Sequence, residues 1–430
     1  MIRPEDSADL QRIVQDWVWA KIRVDSVEEA ERVGREVAQV VGAVVVEEAL
    51  RQVDGEESYQ GCSRECECGR KARFMGYRKR GLSTLCGVVE VTRAYYHCRH
   101  CGEGQIPWDT EQGLTTRLWT AGVKAVVAEV AARLPYQETA KLLEDVLGLR
   151  VEESSAEVIV AEVGERARAA EEEAMAEVSE GQLVGPRGPV PKRLYVAMDG
   201  SHAHVDGAWH EIKTGVVYEG VPGPRGVDAS GPKHYVSAQE TAESFGDRLY
   251  VAAGARGVEQ AEEVVVIGDG AEWIWNLAAH HYPKATEIVD YWHACEHIHD
   301  LAKVCYGEET KAGERWAKEH DRRLKEKGPC PLVRALRRRK AKTPQEAEEI
   351  QATLRYFTTH IERMRYPEFR QRGLMIGSGP VEAACKVVVG YRLKQAGMRW
   401  SQSGAHHVLA LRCLVLNRQS DDIRRFARAA

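Results

Sequence analysis

Two stretches, "KRLYVAMDGS" and "EEVVVIGDGAEWIWNLAAHHYP", each run from an apolar segment into Asp-Gly. A short apolar run bounded by a turn signal is the pattern of a strand buried on both faces. Nearby, "AWHEIKTGVVYEG" reads as a second strand and "SAQETAESFGDRLYVAAGA" as a helix, while "ATEIVDYWHACEHIHDLAK" is another strand-to-helix crossing. Strands alternating with helices predict a mixed or parallel sheet covered on both faces. In open sheets of this kind, sites form at the carboxyl ends of strands, where Asp199 and Asp269 fall. One Asp-Gly after a strand is ordinary turn chemistry. Two, each ending one of the most apolar strands, point to a shared acidic crevice.

A third carboxylate is offered by "IGSGPVEAACK". Gly377-Ser378-Gly379 breaks the backbone, Pro380 fits a first helical position, and Val381 to Lys386 can continue as helix. Glu382 then sits in the first turn, where the helix dipole favours a negative charge by roughly 0.3–1 kcal/mol. Capping alone would explain it. Three converging carboxylates would instead suit Mg²⁺ or Mn²⁺, and a pair of such ions can drive an in-line displacement at phosphorus.

The segment from Cys62 to Cys101 carries a different signal. Cys66-x-Cys68-Gly and Cys98-x-x-Cys101-Gly bracket strand-like alternation such as "GVVEVTRAYYHC". Paired thiolates on tight turns suit a structural Zn²⁺. The first knuckle is one residue shorter than the usual spacing, so Cys62, His97 or His100 could substitute there. A module this small would draw folding energy from the metal.

Length and charge complete the organisation. A chain of 430 residues, 43% hydrophobic, exceeds one small core and predicts several domains. The net charge of −5 hides two basic blocks. Residues 300–430 hold 28 Lys and Arg against 15 Asp and Glu, and residues 62–101 hold 9 against 3. Such blocks are the usual footprint for phosphate, or else solvated helix faces. Residues 26–51 read as an amphipathic helix suited to docking or oligomerisation. "LPYQETAKLLEDVLGLRVEESSAEVIVAEVGERA" reads as a helix from Tyr136 to Leu147, a turn at Gly148, and a second helix from Ser154–Ser155. That is a helix-turn-helix-like unit or a plain helical hairpin. "SEGQLVGPRGPVPKR" is the clearest linker. No apolar run approaches a membrane span and the N-terminus has no signal-peptide core, so a cytoplasmic protein with reduced cysteines is expected and no membrane partner; binding to DNA would make it nucleoid-associated.

"MDGS", "IGDGAEWIWN", "DYWHACEH" and "GSGPVEAACKVVVGYRLKQAGMRW", with the zinc-ribbon-like "RAYYHCRHCGEG", resemble the DDE transposases of bacterial insertion sequences. The likeness is to the Mutator-like type, in particular the ISKra group, and covers about residues 60 to 415. It implies an α/β multidomain protein with an RNase H-like catalytic core interrupted by a helical insertion. The core is preceded by a zinc-ribbon-like module and a helical, helix-turn-helix-like DNA-binding region. The implied segments are 1–60 (N-terminal helical region), 61–112 (zinc-ribbon-like module), 113–182 (DNA-binding helices), 190–304 (first part of the core), 305–372 (basic insertion) and 373–430 (last part). Asp199, Asp269 and Glu382 are the implied catalytic ligands of two Mg²⁺ (or Mn²⁺) ions, with Glu382 113 residues after Asp269. Cys66, Cys68, Cys98 and Cys101 are the implied zinc ligands.

The family's Asp-x-x-His signature maps to Asp290 and His293, as supporting or DNA-positioning residues; a helix-capping Asp and a partly buried His are the plain alternative. Lys386, Arg392, Lys394, Arg399 and Trp400 are candidates for phosphate contact or base stacking. The implied activity is cleavage and strand transfer on double-stranded DNA, transposon ends and target, by a homodimer or higher oligomer. A metal-dependent nuclease of the same fold, or a non-catalytic zinc-ribbon regulator, are the alternatives.

Overall fold

The computed structural model describes residues 12, 15–16, 23–54, 58–114, 119–182, 185–186, 188–223, 226–229 and 231–428. Most of the expected N-terminal region before residue 23, and residues 183, 184 and 187 of the linker, lie outside them. The protein is mixed α/β and divides into two compact units, Met1–Val123 with Leu142–Arg150 and Arg428–Ala430, and Lys124–Lys141 with Val151–Ala427.

The first unit is built on a four-stranded antiparallel sheet, β1 (Ser63–Glu65), β2 (Lys71–Thr84), β3 (Gly87–His97) and β4 (Gly104–Gln105), in sequential order. A long helix precedes it, α1 (Val27–Asp54), and a short one follows, α2 (Pro107–Glu111). Leu82, Val89, Val91 and Trp108 form a small core, closed by Ala43, Val46 and Leu50 of α1. The buried Arg93 guanidinium is paired with Asp109. Val40, Val44 and Val45, on the other side of α1, remain largely exposed.

Then come α3 (Ala121–Ala131), α4 (Tyr136–Leu147) and α5 (Glu153–Ser179). Gly148 at φ +64° ends α4 as the sequence predicts. α5 is much longer than a recognition helix needs.

The second unit centres on a five-stranded sheet of β5 (Arg193–Val205), β6 (Ala208–Glu219), β9 (Lys233–Ala238), β10 (Glu263–Gly268) and β11 (Thr286–Val289). A small ribbon, β7 (Val221–Gly223) and β8 (Gly226–Asp228), lies between β6 and β9 in the chain. The strand order is β11-β10-β5-β6-β9. β5, β6 and β9 are antiparallel neighbours; β10 and β11 run parallel to β5. The β5–β6 hairpin turns on Asp206-Gly207, both at positive φ (47° and 81°), a geometry that matches strand twist. The sequence pattern does not separate β9 from the helix after it. That helix, α6 (Ala242–Gly254), begins only after Thr241, whose hydroxyl caps it.

Two further helices follow strands, α7 (Glu272–His281) after β10 and α8 (Tyr291–Tyr306) after β11. A helical excursion comes next, α9 (Lys311–Lys327), α10 (Cys330–Arg338), α11 (Pro344–Thr359) and α12 (Tyr366–Gln371). The chain returns through α13 (Gly379–Ala384), a π turn over Cys385–Gly390, and α14 (Tyr391–Leu393). It closes with α15 (Gln402–Leu416) and α16 (Ser420–Ala427). One continuous apolar core runs from the sheet into the excursion, from Leu194 and Val266 to Leu336 and Phe357. Among the described residues no helix is long and apolar enough to cross a membrane.

α5 packs on α15, burying Ala156, Ile159, Val160, Val163 and Ala167. The approach is closest at Gly164, where an added Cβ would meet the His407 Cβ at 2.6 Å and its Cα at 2.8 Å. Backbone cannot yield as a flexible side-chain end does. Gly164→Ala should therefore destabilise the protein by about 1–3 kcal/mol, despite alanine's better helix propensity, as read from chemical denaturation.

Candidate active site and metal centre

Register places the two strand-end aspartates side by side. β10 pairs with β5 from Glu263↔Arg193 to Ile267↔Ala197. Two residues on, Asp269 is level with Asp199, on strands about 4.8 Å apart. β11 extends the row: Gly268 pairs with Val289, and the Asp290 N–H donates to the Gly268 carbonyl at 2.8 Å. Three aspartates thus stand at one level across three adjacent parallel strands.

They do not do the same work. Asp290 is fully buried and both its oxygens are engaged. Oδ1 accepts from the Trp292 N–H and, at 3.1 Å, the His293 N–H, capping α8. Oδ2 accepts the Ser378 N–H at 2.6 Å. Beside it the Tyr291 N–H donates to the Ile376 carbonyl at 2.9 Å. Asp290 is a helix cap and also a clamp on the segment entering α13. His293 is half-buried, its Nδ1 3.2 Å from Glu296 and its ring beside His297.

The clamp delivers Glu382. Ser378, at the start of α13, donates its hydroxyl to Glu382 Oε1 at 3.1 Å. Asp199 Oδ1 accepts from the Gly200 N–H at 2.7 Å, and Oδ2 from the Cys385 thiol at 3.5 Å. Asp269 Oδ1 accepts from the Ala271 N–H at 2.8 Å, so the Asp-Gly turn chemistry is also present. Burial raises the Asp199 pKa from its ordinary value, and the neighbouring Asp269 and Glu382 charges add to the rise. Asp199 therefore lies near enough to both other carboxylates to feel their charge. They do not crowd: no three of the site's acidic groups bring ligand atoms within 4.8 Å of one another. Oxygen donors with unused lone pairs are the ligand type that hard divalent cations take.

Three supporting residues were not legible in the sequence. Cys385 and Ser378 touch two of the carboxylates, and lone Cys or Ser residues carry no spacing signal. Tyr356, on α11, donates its hydroxyl to the Asp269 carbonyl at 2.8 Å and lies against Gly270, where an added Cβ would sit 2.7 Å from its ring. Gly270 is at φ +115°, so glycine is required there twice over.

The basic candidates divide. Lys394 and Arg399 are exposed. Lys386 is exposed too, but the helix widens into the π turn after Ala384, and its ammonium lies 5.8 Å from the Tyr391 ring rather than stacking above Glu382 as a continuous α-helix predicts. Arg392 is a correction. It is fully buried, donates Nε to the Ala131 carbonyl at 2.8 Å, and lies 5.0 and 4.7 Å from the Tyr136 and Trp400 ring centroids. Trp400 is engaged in the same stack and donates Nε1 to the Leu393 carbonyl at 3.3 Å. Neither presents its polar group to a DNA backbone. The aromatic walls that hold this cation come from distant parts of the chain.

In the other unit, Cys66, Cys68, Cys98 and Cys101 bring their sulfurs within 4.8 Å of one another. The Cys66–Cys101 and Cys68–Cys98 separations are 3.6 and 3.7 Å. Four Zn–S bonds of about 2.3 Å in a tetrahedron imply S···S edges of about 3.8 Å, so the set fits zinc. The short first knuckle works because its turn is tighter: the Gly69 N–H donates to the Cys66 carbonyl and the Gly102 N–H to that of Cys98, with both glycines left-handed at φ 76° and 77°. Cys62, His97 and His100 stand outside the set. Backbone N–H groups of Cys101 and His100 lower the Cys98 thiol to about 6, favouring the thiolate a metal requires. All eleven cysteines are unbridged.

The structure thus defines a mixed α/β protein with a four-cysteine centre that could hold zinc and an acidic strand-end site. Over residues 23–426 the chain matches the profile of the uncharacterised protein family UPF0236, and it belongs to that family. A search of curated proteins gave no match.

Two outcomes follow. Metal analysis should find one zinc per chain, and Cys98→Ser or chelation should release it and melt the β1–β4 sheet ahead of the rest, a loss on the order of several kcal/mol. For Asp199 the folded-state pKa is raised, so the stability associated with its protonated form is lost as pH rises through the carboxylate range. Asp199→Asn should raise the melting temperature of the Mg²⁺-free protein at pH 7, with the gain disappearing below about pH 4.

Proposed function

We propose that this protein is a DNA transposase of the DDE type, with Asp199, Asp269 and Glu382 as its metal-binding carboxylates. The observation that carries the reading is the convergence of these three groups. Two are set level by strand register, and the third is brought back after the helical excursion by the Asp290 clamp. The sheet supports it. Numbered along the core, the strands lie in the order 3-2-1-4-5, with 1–3 antiparallel and 4 and 5 parallel to 1, the arrangement expected of an RNase H-like fold.

In this reading two Mg²⁺ ions would supply Lewis-acid stabilisation of the attacking and leaving oxygens. The protein's part is to place oxygen donors. Gly200, Ala271 and Ser378 each hold one oxygen of a carboxylate by a hydrogen bond, which fixes its orientation. Tyr356 and the Gly270 contact hold the Asp269 turn against α11. The zinc module and the helices that follow would bind transposon ends. The protein would work as a homodimer or larger assembly in the cytoplasm, on the nucleoid.

Asp199→Asn, Asp269→Asn and Glu382→Gln should each lower Mg²⁺-dependent cleavage by on the order of 10²–10³-fold or more while duplex binding in EDTA is retained. Wild-type cleavage by any one of them removes that residue from the catalytic set. A strand-transfer assay with labelled 3′-hydroxyl ends then separates the readings: joined products support a transposase, and hydrolysis alone a nuclease of the same fold. No cleavage under any condition, with sequence-selective binding, favours a regulator.

A further inference from the structure

The basic run across the helical excursion resolves into two helices with opposite electrostatic character. On α9 the cations are largely answered locally. Lys318 pairs with Glu314, Arg322 with Glu319 and Glu326, and Arg323 with Glu319, at 2.6 to 3.4 Å. Lys325 lies over the Tyr291 ring. That face is a self-neutralised, solvated surface.

α10 and the loop after it are different. Residues 330–342 hold Arg334, Arg337, Arg338, Arg339, Lys340 and Lys342 with no acidic residue. Leu332, Val333 and Leu336 are buried in the main core, which fixes the helix's orientation. Arg334, Arg337 and Arg338, spaced i, i+3 and i+4, are then forced onto one exposed face, continued by exposed Lys340 and Lys342. Only Arg339 is engaged, with Glu346 and the Tyr306 hydroxyl. The side chains of the other five make no ion pair with any described residue. A helix C-terminus favours cations through the helix dipole. That accounts for one or two of them, not for a five-cation surface held outward by a packed apolar face.

We propose that the α10 face and the 340–342 loop form a sequence-independent binding surface for the phosphate backbone of duplex DNA, distinct from the carboxylate site. It rests on the transposase reading only for the choice of duplex DNA as the polyanion. Rigid presentation of several guanidiniums is what backbone tracking needs, and each phosphate contact releases counterion.

The test uses the full-length protein in EDTA, so that catalysis plays no part, and a random-sequence duplex titrated across NaCl concentrations. The triple variant Arg334→Gln, Arg337→Gln, Arg338→Gln should lower the salt slope of binding by up to about 2.7, at about 0.9 per lost contact. The matched α9 variant Lys318→Gln, Arg322→Gln, Arg323→Gln removes the same charge and should leave the slope unchanged. Thermal melting verifies folding, and single Arg338→Gln, expected to lower the slope by about 0.9, serves if the triple variant is unstable. Equal loss in the α9 and α10 variants would mean bulk charge only, and overturns the proposal. So would an unchanged slope in the α10 variant, or an α10-dependent loss of binding to phosphatidylserine vesicles with duplex binding intact. Because no cleavage is read, this result and that of the carboxylate variants can fail separately.

Discussion

The second unit depends on one buried carboxylate accepting hydrogen bonds on both oxygens. Asp290 caps α8 with one and holds the Ser378 amide with the other, so the end of β11 and the start of α13 are fixed by a single side chain. Both oxygens must be acceptors. An asparagine would present an amide N–H₂ to one of two donor sets, and a neutral isostere would therefore cap the helix or hold the loop but not both. Glu382 owes its position to this arrangement, since its own helix is only six residues long. A short helix has little intrinsic stability, so its placement comes from what its first residues are tied to.

Around that anchor the acidic site is electrostatically unsatisfied. Asp199 takes a neutral hydrogen bond on each oxygen, Asp269 and Glu382 take one each, and among the described residues none has a cationic partner within ion-pairing distance. Elsewhere in the same unit partly buried acids are compensated, as where the buried Arg248 joins Glu171 and Glu240. At Asp199, where burial disfavours the charged form, fold stability is given up for charge, a pattern met in groups held ready for a ligand.

Much of this was legible in the sequence because it lay in local patterns. The Asp-Gly strand ends, the Gly-Ser-Gly-Pro break and the two cysteine knuckles announce themselves through spacing and turn chemistry. What escaped was set by partners far along the chain. β9 is a six-residue edge strand whose pattern "KHYVSA" does not alternate cleanly, and only pairing with β6 makes it a strand. Arg392 carries the same charge on paper as Arg399, but Tyr136, Trp400 and the Ala131 carbonyl enclose it. Cys385 could be recognised only once Asp199 was beside it. The difference between α9 and α10 sits between these cases. Interleaved glutamates in "KEHDRRLKEK" and their absence from "RALRRRKAK" are visible, but which cations point outward needed the buried Leu332, Val333 and Leu336.

The Asp290–Ser378 hydrogen bond spans 88 positions, and so turns the whole excursion into a closed loop pinched at its base. The entropy of closing such a loop grows only logarithmically with its length, about 0.6 kcal/mol per doubling. Loop length by itself therefore costs the sheet little, while the excursion's apolar inner faces, which share the sheet's core, do bear on it. Its solvent-facing positions can be recharged or extended at small thermodynamic cost to the sheet, provided the shared core and the Tyr356 contact at Gly270 are kept. The outer face of the excursion is in effect free to diverge, while the inner face and the acidic residues at its base stay fixed.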